Sequence, residues 1–426
     1  MASFFIPLTG LQADSTALNT IANDLSNMNT TAFKAQTTNF SNLFYQQVGE
    51  TGSGDPIAVG AGTQVSSNST DFSQGSYNTS GMSSSDMAID GNGFFIVKDT
   101  DGATAYTRNG GFSQNTSGNL VTDSGSQLMG YAAVNGVVNT SAPLTPINVP
   151  LMGQVQLPAA TQNMSMTANL DSDSTTAFPA TVSVYDSLGA SHNVTVTYTE
   201  TAPGTWTYSA ALPAADFANG VSTPITGTMN FDPNGNLISV AQGANPAQNV
   251  GTAAGDIASI PLNFANPLTD GATNLNLNWN LLGAGGTPTI SQVDEASAVS
   301  GTTADGNAAG TCTGFTIGSD GTVTATYTSG TAVVGQIALA NMTNLQGLNL
   351  QADGEFQTTI ASGTASVGAA GTGGLGGIQD SALEDSNVNI SSEFSDLIIA
   401  QRGFEADSKA VTTFDQVAQD TINMIH

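Results

Sequence analysis

The side chains that most often carry out catalysis are scarce in this sequence. Its 426 residues include two histidines, His192 and His426, and one cysteine, Cys312. His192 stands alone in a predicted hairpin and His426 is the last residue, so we expect two surface residues outside any nucleophile–base pair or metal cluster. The residues next to Cys312 in the sequence carry no charge that would activate its thiol, so we predict a small apolar residue rather than a nucleophile. The sequence therefore predicts no catalytic, cofactor or metal site, and a protein that is not an enzyme.

Three short segments contain residue types that bind ions or phosphate. Residues 99–102 and 232–236 loosely resemble calcium loops, but neither supplies the distal bidentate glutamate of such a loop. We interpret both as hairpin turns, with calcium binding as the alternative. Residues 90–93 are rich in glycine, but no lysine follows, which favours a turn over a phosphate-binding loop.

The charge balance is strongly acidic and excludes two classes of partner. The chain has 33 acidic and 5 basic residues, giving a formal net charge of -28. Nucleic-acid binding needs clustered Lys and Arg, and anionic membranes attract basic segments, so neither partner is expected. No apolar stretch approaches the ~20 residues that a membrane-spanning helix needs. The N-terminus has no basic region before its apolar residues, so we expect an extracellular protein exported without a cleaved signal peptide.

Both ends of the chain carry apolar residues at heptad spacing, which predicts helices that pack on other helices. We expect a coiled pair in which each stripe buries the other or the stripes of neighbouring molecules. Ser391 or Ser392 is expected to cap the last helix, and Arg402 to pair with Glu405. The first stripe consists of Leu11, Leu18, Ile21, Leu25 and Met28. The last consists of Ile390, Phe394, Leu397, Phe404, Val411, Phe414, Ala418 and Ile422.

The chain between these helices is predicted to be β-structure. Residues 181–185 and 194–198 alternate apolar with polar around a turn, which indicates a hairpin. Residues 231–237 read as strand, turn and strand, and further strands are predicted at 275–279, 315–317 and 323–327. Residues 363–377 are rich in glycine, which favours a flexible connector, with a packed extended strand as the alternative.

The composition shifts predict a discontinuous multi-domain chain that is mostly β with α-helical termini. Residues 1–32 with 384–426 form a terminal helical domain, and residues 33–75 with 363–383 form a linker region. Residues 76–150 with 301–362 form an inner β domain. Residues 151–300 form an outer β domain inserted into the inner one.

Several runs resemble the motifs of the flagellar rod and hook protein family. Residues 21–34 resemble the family motif I-A-N-N-L-A-N-x-x-T-x-G-F-K, and residues 383–388 and 400–406 resemble L-E-x-S-N-V and A-Q-R-x-[YF]-x-A. Asp24, Ser26 and Ala32 depart from the first motif, and Ala32 stands where the family has glycine. The matching positions singled out are Asn23, Asn27, Thr30, Phe33, Lys34, Asn387, Gln401 and Arg402.

The resemblance implies a structural subunit that polymerises with itself into a helical tube. Residues 184–189 resemble the outer domain of hook proteins, which favours the hook over the rod. The family then implies a curved, flexible tube that transmits torque from rod to filament and carries exported subunits through its channel. It also implies four partners besides the chain itself: the distal rod protein, the hook cap protein, the hook–filament junction protein and the type III export apparatus.

Two other functions stay open at this point. The first is another axial subunit, such as a long distal rod protein, whose polymer would be straight and rigid. The second is a secreted acidic β-rich adhesin with helical ends, which would form no tube. A hydrolase on a β scaffold is disfavoured because the sequence lacks a nucleophile–base set.

Overall fold

The chain divides into two compact units. The computed structural model describes residues 5–50, 56–134 and 136–424. Unit 1 comprises Met1–Leu151, Phe315–Ala325 and Val333–His426, and unit 2 comprises Met152–Gly314 and Thr326–Ala332. The predicted class, mostly β with helices at both ends, is confirmed. The finer four-part division stays a prediction.

The two α-helices of the described chain lie at its ends, in unit 1. Helix α1 spans Phe5–Ser26 and carries Pro7 in its first turn, where a missing N–H is tolerated. Helix α2 spans Ile390–Met424. Its cap is Asn389, whose Oδ1 accepts the Ser391 and Ser392 N–H groups at 3.1 and 3.3 Å, so the predicted serine cap is wrong.

The heptad pattern overestimates the length of the first helix. A turn follows Ser26, and a strand begins at Gln36. Met28 therefore lies beyond α1, is exposed to solvent, and is not part of a helical stripe. The local reason is the run of Asn and Thr after Ser26, because these side chains bond to nearby backbone and favour turns over helix.

Unit 1 contains most of the strands. Before unit 2 begins, these are β1 (Gln36–Asn42), β2 (Tyr45–Glu50), β3 (Pro56–Gly60), β4 (Thr63–Thr70), β5 (Tyr77–Asn78), β6 (Met87–Asp90), β7 (Phe94–Lys98), β8 (Thr104–Thr107), β9 (Ser113–Gln114), β10 (Leu120–Val121), β11 (Gln127–Val134), β12 (Val137–Val138) and β13 (Thr145–Pro146).

Unit 2 is built from β14 to β25. These are β14 (Val155–Gln156), β15 (Asn163–Asp171), β16 (Phe178–Tyr185), β17 (Ser191–Ala202), β18 (Thr205–Ala211), β19 (Ile225–Phe231), β20 (Leu237–Gln242), β21 (Gln248–Asn249), β22 (Ser259–Asn263), β23 (Asn276–Asn280), β24 (Ile290–Val293) and β25 (Ala298–Ala304). Three longer strands come next along the chain, β26 (Gly310–Ile317), β27 (Thr322–Tyr327) and β28 (Gly330–Asn341). Unit 1 then continues with β29 (Asn349–Leu350), β30 (Glu355–Gln357), β31 (Ser366–Ala369), β32 (Gly377–Asp380) and β33 (Leu383–Glu384).

The sheet of unit 1 orders its strands as β28-β11-β7-β8-β30-β29 and buries apolar residues on both faces. Phe94 and Phe95 are successive residues of β7 and belong to the two different cores. Strand alternation explains this, because neighbouring side chains point to opposite faces. Strand β31 pairs with β28. The prediction of a flexible connector is therefore wrong for residues 366–369, which form the packed extended strand given as the alternative.

Unit 2 packs two sheets around one core. Strands β16 to β21 form an antiparallel meander, and β22-β23-β15-β24 form the second sheet, with β25 also paired to β15. Trp206 and Trp279, one from each sheet, are fully buried in the shared core. The predicted hairpin of residues 181–185 and 194–198 is confirmed, and so is the strand pair around residues 232–236.

Candidate assembly site at the terminal helices

Helices α1 and α2 run antiparallel, and a glycine of each helix lies against a carboxylate of the other. Gly10 of α1 faces Asp407 of α2, and Gly403 of α2 faces Asp14 of α1. A Cβ at Gly10 would overlap the Asp407 carboxylate, and one at Gly403 would lie 2.6 Å from Asp14 Oδ2. Glycine at these two positions therefore allows the helices to approach with a carboxylate against each glycine.

Carboxylates dominate the contact between the two helices. Burial and the nearby Asp407 carboxylate raise the pKa of Asp14. Burial raises the pKa of Asp24 to about 6, although a hydrogen bond from the Gln36 N–H opposes the change. Burial also raises the pKa of Glu393, helped by the Asp24 charge across the seam. These shifts mean that the helix pair holds negative charge in a place where water screens it poorly.

The large apolar side chains of the predicted stripes are not buried between the helices. No residue of α2 is buried, and α1 buries only Pro7, Ala13, Ala17, Thr20 and Asp24. Of the predicted residues, those only partly covered are Leu11, Leu18, Ile21, Leu25, Leu397, Phe404, Val411 and Phe414. Those exposed are Ile390, Phe394, Ala418 and Ile422, together with Ile398, which widens the predicted stripe. Ile399 and Val417, which the stripe did not include, are exposed as well.

A buried ion-pair cluster joins the base of the helices to the β-structure of unit 1. Glu384 is fully buried and receives Lys34 Nζ at 2.5 Å and Arg108 Nη1 at 3.5 Å. Its Oε1 also accepts the Gly75 N–H at 2.9 Å. Burial lowers the pKa of Lys34, and the Glu384 carboxylate opposes that change. Three segments that are far apart in the sequence thus meet at one carboxylate.

Asn387 adds a second link beside this cluster. Its Oδ1 accepts the Ala35 N–H at 2.8 Å, and its Nδ2 donates to the carbonyls of Asp71 and Ser73 at 2.8 and 3.1 Å. One amide side chain therefore ties the chain leaving α1 to the chain entering α2.

Ala32 adopts a left-handed conformation at the same junction. Its φ is 56°, and its N–H donates to the Glu384 carbonyl at 2.7 Å. This is the position where the family motif has glycine, and a left-handed φ is the conformation that glycine adopts without strain.

The remaining motif residues have local roles. The Asn27 amide caps the end of α1 through the Asn23 carbonyl, and Thr30 donates to Asn27 Oδ1 at 3.0 Å. Phe33 is half-buried and Gln401 is exposed. Arg402 pairs with Glu405 at 3.0 Å, as predicted.

Sequence reasoning missed the part played by Arg108 and Glu384. Glu384 lies in the run 383–388 that resembles a family motif, but neither residue was singled out. The available signal was scarcity: a chain with 5 basic residues has little reason to retain one inside a β-rich segment unless it has a partner. Glu384 is the second residue of a motif that also contains Asn387.

The prediction of a solvated, isolated His192 is wrong. In unit 2, His192 is only 6% exposed, with Nδ1 3.0 Å from Asp216 Oδ2 and Nε2 3.1 Å from Asp186 Oδ2. The carboxylate of Asp270 lies close by, its oxygen within 4.8 Å of the other ligand-type atoms. Cys312 is buried, as predicted, while His426 lies outside the described residues.

Family models match the chain in three parts. Residues 88–169 match the model described as "Flagellar hook protein FlgE/F/G D1 domain". Residues 151–307 match "Flagellar basal body protein FlaE D2 domain", and residues 379–424 match "Flagellar basal body rod FlgEFG protein C-terminal". These matches define the class as an axial protein of the bacterial flagellum.

Full-length relatives narrow the class. The flagellar hook protein FlgE of Escherichia coli (strain K12) is 31% identical, over 99% of this chain and 100% of its own. That of Treponema pallidum is 31% identical over 100% and 99%. A solved structure, the Helicobacter pylori flagellar hook protein FlgE2, aligns with 72% of this chain and 99% of its own at a TM-score of 0.44 and 13% identity. The chain belongs to the flagellar hook protein FlgE family.

Proposed function

We propose that this chain is the structural subunit of the bacterial flagellar hook and that it polymerises through its terminal helices. The observation that carries the proposal is α2, a helix of 35 residues with no buried residue. Phe394, Ile398 and Ile399 are each between 49 and 68% exposed. An amphipathic helix gains most of its stability from packing its apolar face, so α2 needs contacts that one copy does not supply.

The same reasoning supports the wider role. A tube formed from paired terminal helices would have the β units outside and a channel inside, through which exported subunits would pass. Torque transmission requires a polymer that bends, which a curved and flexible hook provides. The described chain has no helix long and apolar enough to cross a membrane. We infer an extracellular location in the flagellum, reached through the type III export apparatus.

The partners are proposed on the same basis. The distal rod protein would lie at one end of the tube, and the hook–filament junction protein at the other, where the hook cap protein first guides assembly. The alternatives were a subunit of a straight rod and a secreted adhesin. The full-length relatives are hook proteins, so the comparisons favour neither alternative.

Replacing exposed apolar residues of α2 tests the proposal. Purified full-length chain should form sedimentable tubes that electron microscopy images as curved polymers. The variant F394S/I398S should remain a folded monomer, because it loses apolar area that we expect neighbours to bury. The matched control V134S changes a residue of β11 that is 71% exposed and should polymerise normally.

Two results would overturn the proposal. The first is wild-type chain that stays monomeric at every concentration and ionic strength tested. The second is F394S/I398S protein that polymerises as readily as wild type while both retain their helix and sheet content.

A further inference from the structure

A groove of about 370 Å³ lies between α1, β1 and α2 and contains acidic side chains without basic ones. Its polar lining includes Asp14, Glu393 and Asp396, and its apolar lining includes Ile21 and Ile399. The residues that line it include no Lys or Arg. The groove therefore has unbalanced negative charge beside an apolar surface.

Two buried features of the helix pair add to this imbalance. Burial raises the pKa of the Asp14 carboxyl, and the nearby Asp407 carboxylate raises it further. Asp24 is fully buried, and its Oδ1 has no hydrogen-bond partner. A buried carboxylate oxygen without a donor is unfavourable, so a cation arriving at this seam would be stabilised.

No basic residue of the same copy lines the groove, and four of the five basic residues are paired elsewhere or lie on another face of α2. Lys34 and Arg108 are already paired with Glu384. Arg402 and Lys409 lie seven residues apart on α2 and so share one face of the helix. Gly403 and Asp407 mark the face towards α1, and at 100° per residue the two bases lie on the opposite side.

Both of these bases are available to a partner. Arg402 is 77% exposed along its side chain and has only the solvated pair with Glu405, a type of contact that contributes little. Lys409 is exposed, and its ammonium group makes no ion pair or hydrogen bond with any residue that the structure describes. Exposed bases and an unfilled acidic groove on one molecule are complementary surfaces for a second copy.

We propose that Arg402 and Lys409 of one copy dock into the groove formed by Asp14, Glu393 and Asp396 of a neighbouring copy. The inference rests on the proposed polymerisation and adds to it a specific contact with a defined donor face and acceptor groove. The contact is heterologous, since the two surfaces differ, and a heterologous contact whose rotation does not close into a ring generates a helical polymer. It also supplies positive charge to the acidic seam of the α1–α2 pair.

Two charge-reversal variants of the full-length chain test the contact. R402E/K409E makes the donor face acidic, and E393K/D396K makes the groove basic. Each variant alone should lose polymerisation, with a critical concentration raised at least ten-fold, because like charges then meet at every contact. Helix content by circular dichroism and the fluorescence of the buried tryptophans should show that both variants are folded.

Mixing the two variants gives the decisive result. In an equimolar mixture, the basic groove of one variant can accept the acidic face of the other, and the original pairing remains for the reciprocal contact. We therefore expect the mixture to form tubes at a concentration where neither variant does. Mixing either variant with K98E, which reverses an exposed base of β7, should give no such rescue of the charge-reversed partner.

The outcomes separate this contact from polymerisation itself. Normal tubes from R402E/K409E would overturn the contact and leave the proposed function intact. If E393K/D396K alone failed and the mixture did not recover, a different occupant would fill the groove, and the contact would again be rejected. Wild-type chain that formed no polymer would remove both the contact and the proposed function.

Discussion

Glu384 Oε1 lies 2.5 Å from Lys34 Nζ, although 350 residues of chain separate the two side chains. The carboxylate is fully buried, and Arg108 approaches its other oxygen at 3.5 Å. The segment that leaves α1 and the segment that enters α2 are therefore joined by charge inside unit 1. A buried pair adds little over an apolar replacement, but removing one partner leaves uncompensated buried charge.

Glu384→Gln should strongly destabilise unit 1. The substitution keeps the size of the side chain but leaves Lys34 and Arg108 without an anion, so we expect a loss of about 3–5 kcal/mol. Amide hydrogen exchange of β7 and β11 in the full-length chain measures this, because both strands lie in the core of unit 1. The matched control Glu405→Gln breaks an exposed ion pair and should change the exchange free energy by less than ~1 kcal/mol. Equal effects in both variants would contradict a structural role for the buried cluster.

Ala32→Gly should stabilise the junction. The φ of 56° at Ala32 is left-handed, a conformation that costs an L-residue roughly 1–2 kcal/mol and glycine almost nothing. Part of this gain is offset by the greater freedom of glycine in the unfolded chain, so we expect a net gain of about 0.5–1 kcal/mol. Hydrogen exchange near the Ala32–Glu384 contact measures the difference. Ala35→Gly, at a neighbouring residue without positive φ, should be neutral or destabilising. Destabilisation by Ala32→Gly would show that the methyl packing outweighs the strain.

Local patterns in the sequence predicted the class of fold because they need no knowledge of distant contacts. The alternation in residues 181–185 and 194–198 determines a hairpin, and the heptad spacing determines helical ends. The contact between the helices could not be derived in the same way. Apolar spacing selects Leu18 and Leu397, whereas the contacts with Asp407 and Asp14 need the small size of Gly10 and Gly403, which hydrophobicity does not indicate.

The interior polar groups were harder still. Hydropathy assigns Glu384 and His192 to the surface, and only three-dimensional contacts supply the partners that make their burial tolerable. His192 is flanked by Asp186 and Asp216, which lie 6 and 24 residues away in the sequence. Sequence spacing alone did not indicate that both acids would reach the same imidazole ring.

Asp24→Asn should stabilise the helix pair at neutral pH and reduce its dependence on pH. Burial raises the pKa of Asp24 from 3.8 to about 6, so the charged form is disfavoured in the fold. With a folded pKa above the unfolded one, stability is greatest below about pH 4 and is lost as pH rises to about 6. The carboxylate of Glu393 is the charged group that faces Asp24 across the seam. We expect a gain of about 1–3 kcal/mol at pH 7.5, the amount that a shift of this size represents.

Circular dichroism at 222 nm follows this change, because both described α-helices lie in unit 1. Wild type should lose helix stability as the pH rises from about 4 to 6, and Asp24→Asn should lose less, because only Asp14 and Glu393 of the seam acids then keep a raised pKa. Asp420→Asn removes an exposed acid from the end of α2 and should leave the wild-type pH profile unchanged. A profile for Asp24→Asn that matches wild type would mean that Asp24 does not titrate in this range.

Unit 2 should lose stability as pH rises above neutrality, because His192 carries a charge in the fold. Both ring nitrogens face carboxylate oxygens, which only accept hydrogen bonds, so both must donate. Burial alone would lower the pKa of His192, but the hydrogen bonds to Asp186 and Asp216 outweigh it and raise the pKa above 6.5. The carboxylate of Asp270 lies beside the same cluster. The stabilisation is complete below pH 6.5 and is lost as pH rises through the raised folded pKa.

Denaturant unfolding followed by tryptophan fluorescence measures this directly, because Trp206 and Trp279, the only two tryptophans, are both in unit 2. We expect the denaturant concentration at the wild-type unfolding midpoint to decrease as the pH is raised from about 6 to 9. His192→Gln should have a lower midpoint at pH 6 and a flatter profile, since glutamine carries no charge to lose. A background of His426→Gln leaves one imidazole, so its NMR titration reports His192 alone. A titration at or below pH 6.5, or a wild-type midpoint that does not change with pH, would show that the imidazole is neutral between the two acids.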